Sequence, residues 1–366
     1  MLSTARSCDQ IAAQPVTERV TRRTTAKPRD HPLAPGSLAT AVKSTLPDFV
    51  EPCLATLVAT PPEGDDWVHE IKFDGYRVQA RIDGDKVRLI TRSGLDWTER
   101  FGALPTSLRK LHRGKVLIDA ELVVEDSSGH SSFSKLAAAL KDGHSESFVL
   151  QCFDLLHLDG FDLRPAALID RKALLLQLLT HRAPPEIRYS EHLTGDSSRM
   201  LSEACRLGLE GIISKRASRP YRSGRHDDWL KSKCIKVDEF VIAGYIVSNV
   251  AANAVGALVV GYFERKRLVY AGRVGTGFTQ KTSVALMKTL KPLATAPPSF
   301  ASELTGLQRK GVVWIEPVLV AQIEYRAWTD DNLLRHAAFK GLREDKPAAQ
   351  VRRPIVKSSK SRGNKH

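Results

Sequence analysis

The sequence contains no apolar stretch of the roughly 18 residues that a membrane-spanning helix needs. Its first residues, MLSTARSCDQIAAQ, also lack the apolar segment of a secretory signal peptide. These absences argue against a membrane protein and predict a cytoplasmic one. With 42% hydrophobic residues among 366, the composition is typical of globular proteins, and the length predicts two domains with separate cores.

Cysteine is scarce and scattered along the chain. The five cysteines are Cys8, Cys53, Cys152, Cys205 and Cys234. No two of them form a CxxC pair, which argues against a zinc knuckle and against a disulfide framework. The sequence therefore predicts reduced thiols.

Acidic residues are scarce near both ends of the chain, where much of the net charge of +14 arises. Residues 1–45 hold seven Lys or Arg and three acids, and residues 347–366 hold six and none, so these tails carry +10 of the total. Both tails are rich in Ser, Thr, Pro and Ala, a composition that does not build a core. We expect two disordered basic segments, which act either as arms that seek polyanions such as DNA or only as solubilising tails.

Between the tails, the sequence predicts two domains of different texture. Over residues 46–234, strand patterns such as YRVQARIDGDKVRLITR, with a turn at Asp83-Gly84, alternate with helical patterns at 168–179 and 198–208. Over residues 235–346, strand patterns surround one helical stretch, TQKTSVALMKTL, and end in one long strand, VVWIEPVLVAQIEYRAW. This second region predicts a small barrel of the OB type, so the predicted fold class is α+β, with antiparallel sheets and helices before the barrel.

One short motif, HEIKFDGYR at residues 69–77, places Lys72 two residues before an Asp-Gly turn and Arg77 three residues after that aspartate. A lysine is a nucleophile only when it is deprotonated, which requires burial or neighbouring positive charge to lower its pKa. The alternative is a structural lysine beside a hairpin turn. Charged residues elsewhere in the sequence help to decide between a nucleophilic and a structural role for Lys72.

Charged residues on later strand patterns would supply such neighbours. WLKSKC places Lys231 and Lys233 on one face of a strand, by its two-residue period, and EGIISKR adds Lys215. Three cations on strands would suit a triphosphate and would lower the pKa of a nearby lysine. Each of them taken alone could equally be a solvated strand residue.

Two carboxylates lie in otherwise apolar strand patterns, Glu121 in IDAELVV and Glu210 in EGIISKR. An unpaired charge in such a place is costly, and either a bound metal ion or a salt bridge would compensate it. Phe153 in LQCFDLL is either a core residue or a stacking platform for a purine.

The order of these pieces resembles a known enzyme superfamily. KFDGYR, TRSG, DAELV, FDLLHLDG, EGIISKR and WLKSK are similar to motifs I, Ia, III, IIIa, IV and V of the covalent nucleotidyltransferases. The likeness is to ATP-dependent DNA ligases, in particular the bacterial end-joining type, the ligase domain of the DNA ligase D family. AGRVGTGFT and RAWTDDNLLRHAAFKGLREDKP resemble that family's OB domain and its motif VI. The resemblance thus implies an adenylation domain over 46–234 and an OB domain over 235–346.

The resemblance also implies chemistry. Lys72 would attack the α-phosphorus of ATP and carry AMP as a phosphoramidate, Glu70 would read the adenine amino group, and Phe153 would stack on the ring. AMP would pass to the 5′-phosphate of nicked or broken double-stranded DNA, and the 3′-hydroxyl would displace it. This implies an enzyme of DNA repair by end joining, with the Ku end-binding protein as a partner.

The remaining implied roles concern the phosphates, the ribose and a divalent cation, Mg²⁺ or Mn²⁺. Residues implied to contact ribose, phosphate or metal are Arg77, Arg92, Glu121, Glu210, Lys231 and Lys233, with Glu210 as the main metal ligand and Lys215 assisting at the DNA end. Residues implied to orient pyrophosphate from motif VI are Arg335, Lys340, Arg343 and Lys346.

Three alternatives remain open in the sequence. An RNA capping guanylyltransferase and an RNA ligase share the KxDG motif, and a non-catalytic DNA-end binding module could keep the fold. Glu70 favours ATP over GTP, and the retention of Lys72 with both carboxylates argues against the module.

The motif VI segment departs from the family pattern at three positions. Where we expect Gly, Pro and Ser, the sequence has Asn332, Ala337 and Ala338, which alters the shape of the motif VI loop more than its charge.

Overall fold

The computed structural model describes residues 34–143, 147–180 and 183–354. The chain divides into two compact units between Cys234 and Ile235. No helix among the described residues is long and apolar enough to cross a membrane.

The described part of the first unit contains twelve strands and four α-helices. The strands are β1 (Val42–Lys43), β2 (Cys53–Leu57), β3 (Trp67–Ile71), β4 (Tyr76–Asp83), β5 (Lys86–Thr91), β6 (Lys115–Val124), β7 (Phe148–Leu158), β8 (Phe161–Asp162), β9 (Ile187–Tyr189), β10 (His192–Leu193), β11 (Gly211–Arg216) and β12 (Gly224–Lys233). The helices are α1 (Leu104–Leu111), α2 (Phe133–Asp142), α3 (Leu168–Thr180) and α4 (Ser197–Arg206).

These strands form two sheets. The larger runs β1-β8-β7-β6-β4-β5, with β9 added parallel to β7, and the smaller runs β10-β3-β11-β12-β2. The predicted hairpin is present, because Asp83 pairs with Lys86 across the turn between β4 and β5. The main core lies between the larger sheet and α1, α2 and α3, where fully buried residues such as Leu89, Ile118 and Leu175 pack together. The smaller sheet carries the KxDG strand β3.

The second unit is built mainly from strands. They are β13 (Lys236–Val247), β14 (Val255–Glu264), β15 (Arg267–Val274), β16 (Val312–Trp314), β17 (Val320–Tyr325), β18 (Ala327–Trp328), β19 (Leu334–Arg335) and β20 (Ala338–Leu342), with helices α5 (Gln280–Leu290) and α6 (Gly306–Arg309). The sheet runs β15-β14-β13-β17-β20, with β16 on β13 and a separate pair β18-β19. The long final strand predicted from the sequence is divided near Pro317, which has no N–H for a sheet hydrogen bond.

The inner ends of the predicted basic tails are ordered, so that expectation is corrected for residues 34–45 and 347–354. Val42–Lys43 pairs with β8, and Leu38 packs into the core of the first unit. Val351 is fully buried in the second unit, and its carbonyl accepts a hydrogen bond from the Phe263 N–H at 3.0 Å. Isolated apolar residues order these short stretches despite their composition. Residues 1–33 and 355–366 lie outside the described residues.

The expectation that all cysteines are reduced thiols is wrong for one pair. Cys205 and Cys234 form a disulfide, with 29 residues of sequence separation and a Cα–Cα distance of 5.1 Å. The chain turns back after α4, and the Cys234 N–H donates to the Glu210 carbonyl at 2.9 Å, which brings the end of β12 beside the end of α4. Cys53 and Cys152 are buried free thiols, and Cys8 lies outside the described residues.

Candidate functional site

Lys72 follows β3 directly, and the structure explains the glycine of its motif. The Lys72 N–H donates to the Gly211 carbonyl at 2.9 Å, which ties the motif to β11. A Cβ at Gly75 would overlap the carbonyl oxygen of Leu122, so the chain passes β6 too closely for any side chain. The Asp74 carboxylate accepts the Phe133 N–H at 3.3 Å and anchors the turn to the start of α2.

The Lys72 ammonium forms an ion pair with Glu210, and the two side chains are 20% and 8% exposed. Lys233 approaches the other oxygen of Glu210 at 4.0 Å. Burial, the largest influence, lowers the pKa of Lys72, but Glu210, with Asp74 and Glu121 further away, outweighs it, and the net pKa is raised. The predicted lowering of the Lys72 pKa by neighbouring cations is therefore wrong for this state, because the nearest charged group is a carboxylate.

Glu210 precedes Gly211, which begins β11 and has a backbone φ of +146°. A Cβ at Gly211 would overlap the carbonyl oxygen of Ser232, so β11 and β12 approach most closely beside Glu210. Lys233 lies directly opposite Gly211 across this pair of strands, and Lys231 lies opposite Ile213. The EG and KxK motifs thus come together through strand register.

Glu70 lies on β3, two residues before Lys72, and its carboxylate is 3% exposed. Lys215 donates to Glu70 Oε2 at 2.8 Å, and Lys172 from α3 donates to Glu70 Oε1 at 2.8 Å. Ser190 Oγ also donates to Oε2, at 3.2 Å. Burial alone raises the pKa of Glu70, but Lys172 and Lys215 outweigh it and lower the net pKa. Glu70 is therefore an ionised carboxylate within a buried cluster.

Phe153 lies within the first unit's core and is 8% exposed. The Lys215 ammonium lies 4.4 Å from the Phe153 ring centroid and 4.3 Å from that of Trp229, while the Arg77 guanidinium lies 5.3 Å from Phe153. Burial, the largest influence, lowers the pKa of Lys215, and the net pKa is lowered despite Glu70. Two cations thus cover the aromatic ring that the sequence assigned either to the core or to a purine.

Arg77 is held by a carboxylate that the sequence did not single out. Its Nε and Nη2 donate to the two oxygens of Asp119 at 2.9 and 2.6 Å, and the Asp119 side chain is fully buried. Glu121 lies directly opposite Arg77 across β4 and β6, and the Arg92 N–H donates to the Arg77 carbonyl at 3.1 Å. Arg77, Arg92 and Glu121 are therefore neighbours in one sheet.

A cavity of about 240 Å³ lies beside Glu70 in the first unit. Its lining includes Glu70, Phe73, Gln151, Tyr189 and Leu209, and is largely apolar. Among the described residues, no group of three or more His, Cys, Asp or Glu is arranged to hold a metal ion. The carboxylates that raise the pKa of Lys72 come from separate segments, namely Glu210 just before β11, Asp74 in the turn after β3, and Glu121 on β6.

The motif VI residues lie in the second unit, where acids hold most of them. Lys340 contacts Glu324 at 3.0 Å and Lys346 contacts Glu239 at 2.6 Å. Arg343 is 8% exposed and donates through Nε and Nη2 to both oxygens of Asp345, at 2.9 Å each. Arg335 is exposed.

Two family descriptions match the chain. Residues 38–233 match the family described as "ATP dependent DNA ligase domain", and residues 251–346 match "ATP dependent DNA ligase C terminal region". The first match alone spans more than half of the 366 residues. The chain belongs to the ATP-dependent DNA ligase family.

The chain is similar to multifunctional end-joining proteins and to a solved structure of a DNA ligase D. The Pseudomonas aeruginosa "Multifunctional non-homologous end joining protein LigD" is 41% identical over 312 residues, which cover 84% of this chain and 37% of that protein. The protein of the same name from Mycobacterium bovis is 35% identical over 309 residues, covering 83% and 40%. A solved structure described as "mycobacterial DNA ligase D complexed with ATP and MES" matches with a TM-score of 0.59 and 34% identity over 81% of this chain and 97% of that chain. The ligase chain thus spans about two fifths of the length of these curated relatives.

Family membership confirms the resemblance found in the ordered motifs and the fold class, nucleotidyltransferase sheets followed by an OB-type domain. Sequence reasoning missed two residues of the candidate site, Lys172 and Asp119. Lys172 could have been noticed as one of two adjacent cations in the mainly apolar helical pattern LIDRKALLLQLL. Asp119 could have been noticed as a carboxylate in the same apolar strand as Glu121.

Proposed function

We propose that this chain seals nicked or broken double-stranded DNA in three steps. A Lys72 Nζ–P bond forms as the bond from the α-phosphorus of ATP to pyrophosphate breaks, and Lys72 gives up its protons. AMP then passes from Lys72 to a DNA 5′-phosphate, and the 3′-hydroxyl displaces it. The observation that carries the proposal is the Lys72–Glu210 ion pair. It lies beside Gly75 and Gly211, where the backbone passes a neighbouring strand too closely for a side chain.

Lys72 reaches its reactive form by leaving the ion pair. Within that pair the ammonium is protonated and its pKa is raised, so it has no lone pair for attack. Glu210 also faces Lys233, which gives the carboxylate a second cation to turn to at 4.0 Å. Opening this pair is therefore the conformational requirement for the first step.

Glu210, with Glu121, would hold Mg²⁺ or Mn²⁺. One or two carboxylates beside nucleotide phosphates are a donor set that Mg²⁺ accepts, so the residues present fit the ion. When bound, such an ion neutralises charge on the phosphoryl oxygens in the transition state. Lys231 and Lys233, on neighbouring positions of one strand face, would contact the same phosphates.

The adenosine moiety would be recognised by residues of both sheets of the first unit. Glu70, an acceptor-only carboxylate, would accept the adenine amino group, and Phe153 would stack on the base once the Lys215 ammonium moves off its ring. Lys215 would then be available to assist at the DNA end. Arg77 and Arg92 would contact the ribose and the DNA 5′-phosphate, with the Arg77 orientation fixed by Asp119.

Motif VI would serve the first step from the OB domain, over residues 235–346, after the adenylation domain, over 46–234. Lys340 and Lys346 sit in partly exposed ion pairs that open at little cost, and Arg335 is exposed, so all three could meet pyrophosphate. Arg343 would act mainly by shaping the loop through Asp345. In the cell, we propose cytoplasmic end joining, the process that the names of the relatives give. The family resemblance of the sequence motifs is the ground for proposing Ku as the partner that brings DNA ends.

The test is incubation with ATP or GTP carrying a radioactive α-phosphate, followed by addition of a nicked duplex. We expect label on the protein from ATP, transfer of the label to DNA, and a sealed product. Label from GTP alone would indicate a capping guanylyltransferase. Sealing of nicked RNA in preference to DNA would indicate an RNA ligase, and absence of any label would leave only a binding module.

A further inference from the structure

Lys172 is the buried cation in the site that none of the sequence motifs includes. Its side chain is fully buried, and its ammonium donates to Glu70 Oε1 at 2.8 Å and to the Ser190 carbonyl at 2.9 Å. The ammonium also lies 4.6 Å from the centroid of the Tyr189 ring. It reaches Glu70 from α3, 102 positions later in the sequence. A fully buried lysine is rare unless it has such partners.

The two lysines of this cluster hold Glu70 in different ways. Lys172 has a second, backbone acceptor, the Ser190 carbonyl, so it remains satisfied if Glu70 gains another partner. Lys215 instead lies between Glu70 Oε2 and the face of Phe153. A base that stacks on Phe153 and donates an amino group to Glu70 would occupy the place of the Lys215 ammonium. Lys172 would meanwhile keep its contact with Oε1.

We propose that Lys172 is the positioning residue that fixes the Glu70 carboxylate for base recognition, while Lys215 yields its place to the base. The inference rests on the proposed function. Lys172 does not contact the nucleotide in this arrangement and acts only through Glu70. Because an ionised Glu70 is an acceptor and not a donor, it accepts the amino group of adenine and rejects the carbonyl oxygen at the same place in guanine. Lys172 thereby supports the choice of ATP over GTP.

The decisive variant is Lys172→Met, which keeps the aliphatic stem and removes the charge. The cluster holds two lysines and one carboxylate, so the variant leaves the balanced pair Glu70–Lys215 and is expected to fold. We expect the KM for ATP in self-adenylation to rise about 10- to 100-fold with kcat little changed, the scale of one hydrogen bond to a charged group. The preference for ATP over GTP should fall by a similar factor. Lys110→Met, an exposed lysine near the end of α1, is the matched control and should leave both values unchanged.

A double-mutant cycle separates positioning from general destabilisation. If Lys172 acts through Glu70, the double variant Glu70→Gln with Lys172→Met should have the same KM for ATP as Glu70→Gln alone. Additive effects would indicate that Lys172 supports the fold only and would overturn the inference. If Lys172→Met does not fold, Lys172→Gln, which keeps an N–H donor but no charge, carries the same expectation.

The outcomes also separate this inference from the function on which it rests. Wild-type protein that forms no labelled adenylate from ATP would overturn the proposed function. A wild-type protein that does, together with a folded Lys172→Met variant whose KM and ATP preference stay within about twofold of wild type, would overturn the role of Lys172 alone.

Discussion

Two ion-paired groups of the KxDG motif lie two residues apart, Glu70 on β3 and Lys72 directly after it, and their partners differ. The Lys72 ammonium pairs with the Glu210 carboxylate, and the Lys72 side chain is 20% exposed. At Glu70, two lysines hold one carboxylate, which is 3% exposed. The Lys72–Glu210 pair has some access to solvent, whereas Glu70 has two cationic partners and is closed to solvent. We propose that the first pair opens for chemistry, whereas Glu70 exchanges Lys215 for the base and keeps Lys172 throughout.

Desolvation explains why the two groups differ. A charge in a fully buried place is strongly destabilising once its partners are lost, so we expect Glu70 to keep Lys172 when Lys215 leaves it. A pair near solvent loses less, because water replaces the partner. The proposed nucleophile therefore sits where its partner is released easily, and the proposed base-reading carboxylate sits where one partner has to stay.

The largest effect should come from Lys72→Ala, which removes the nucleophile from the group that opens. We expect no label on the protein from ATP, because no other group would form the phosphoramidate. The measurement is the radioactive label that stays on the protein after gel separation, compared before and after acid treatment, because a phosphoramidate is acid-labile. Lys110→Ala is the control. A variant that keeps acid-labile label would show that another residue carries AMP. A pre-adenylated nick supplies AMP without Lys72, so its sealing should persist.

The next effect should come from Glu210→Gln, which leaves Lys72 without its carboxylate partner. We expect self-adenylation to slow by roughly 100-fold or more and to need more Mg²⁺, because loss of a metal ligand removes charge stabilisation in the transition state. Glu203→Gln is the control, since Glu203 is 45% exposed and pairs with Arg206 on the same helix, α4. Wild-type rates at every Mg²⁺ concentration would return Glu210 to a purely structural role.

A smaller effect concerns the disulfide, whose closed loop contains Glu210 but not Glu70. For the 29-residue separation, a cross-link stabilises by about 3 to 4 kcal/mol through loop closure. Cys205→Ser should therefore lower the melting temperature by about 10 °C in the absence of reductant and by little in its presence. In a reducing cytoplasm the pair would be open. Equal melting of the variant and the oxidised wild type would indicate that the cross-link adds no stability.

The sequence predicted the elements of the fold and most of the groups around Lys72, because strand periodicity and the KxDG, EG and KxK motifs are local patterns. It did not predict which charges meet. Lys172 reaches Glu70 from a helix, and Asp119 meets Arg77 across strands, so both contacts depend on register and on the packing of α3 against the sheet. The sign of the Lys72 pKa shift was wrong for the same reason, since Lys72 meets a carboxylate and not the cations counted along the strands. The disulfide was missed because only the turn after α4 brings the two cysteines together.

The smallest effect on stability should come from Lys340→Met in motif VI. The ion pair of Lys340 with Glu324 can be compared with those of Lys72 and Glu70, because both of its side chains are partly exposed. Lys340 and Glu324 are 33% and 37% exposed, and such pairs contribute only about 0 to 1 kcal/mol. The melting temperature should therefore hardly change.

If Lys340 meets pyrophosphate, self-adenylation should slow by about tenfold while sealing of a pre-adenylated nick is spared. Lys266→Met, at the exposed turn between β14 and β15, is the control for loss of one positive charge from the same unit. Equal slowing in both variants, or equal loss of adenylation and sealing in Lys340→Met, would place Lys340 outside the first step. A selective loss of adenylation would group the Lys340–Glu324 pair with Lys72–Glu210 as one that opens, because both lysines are partly exposed and their contact with a carboxylate can be exchanged for phosphate.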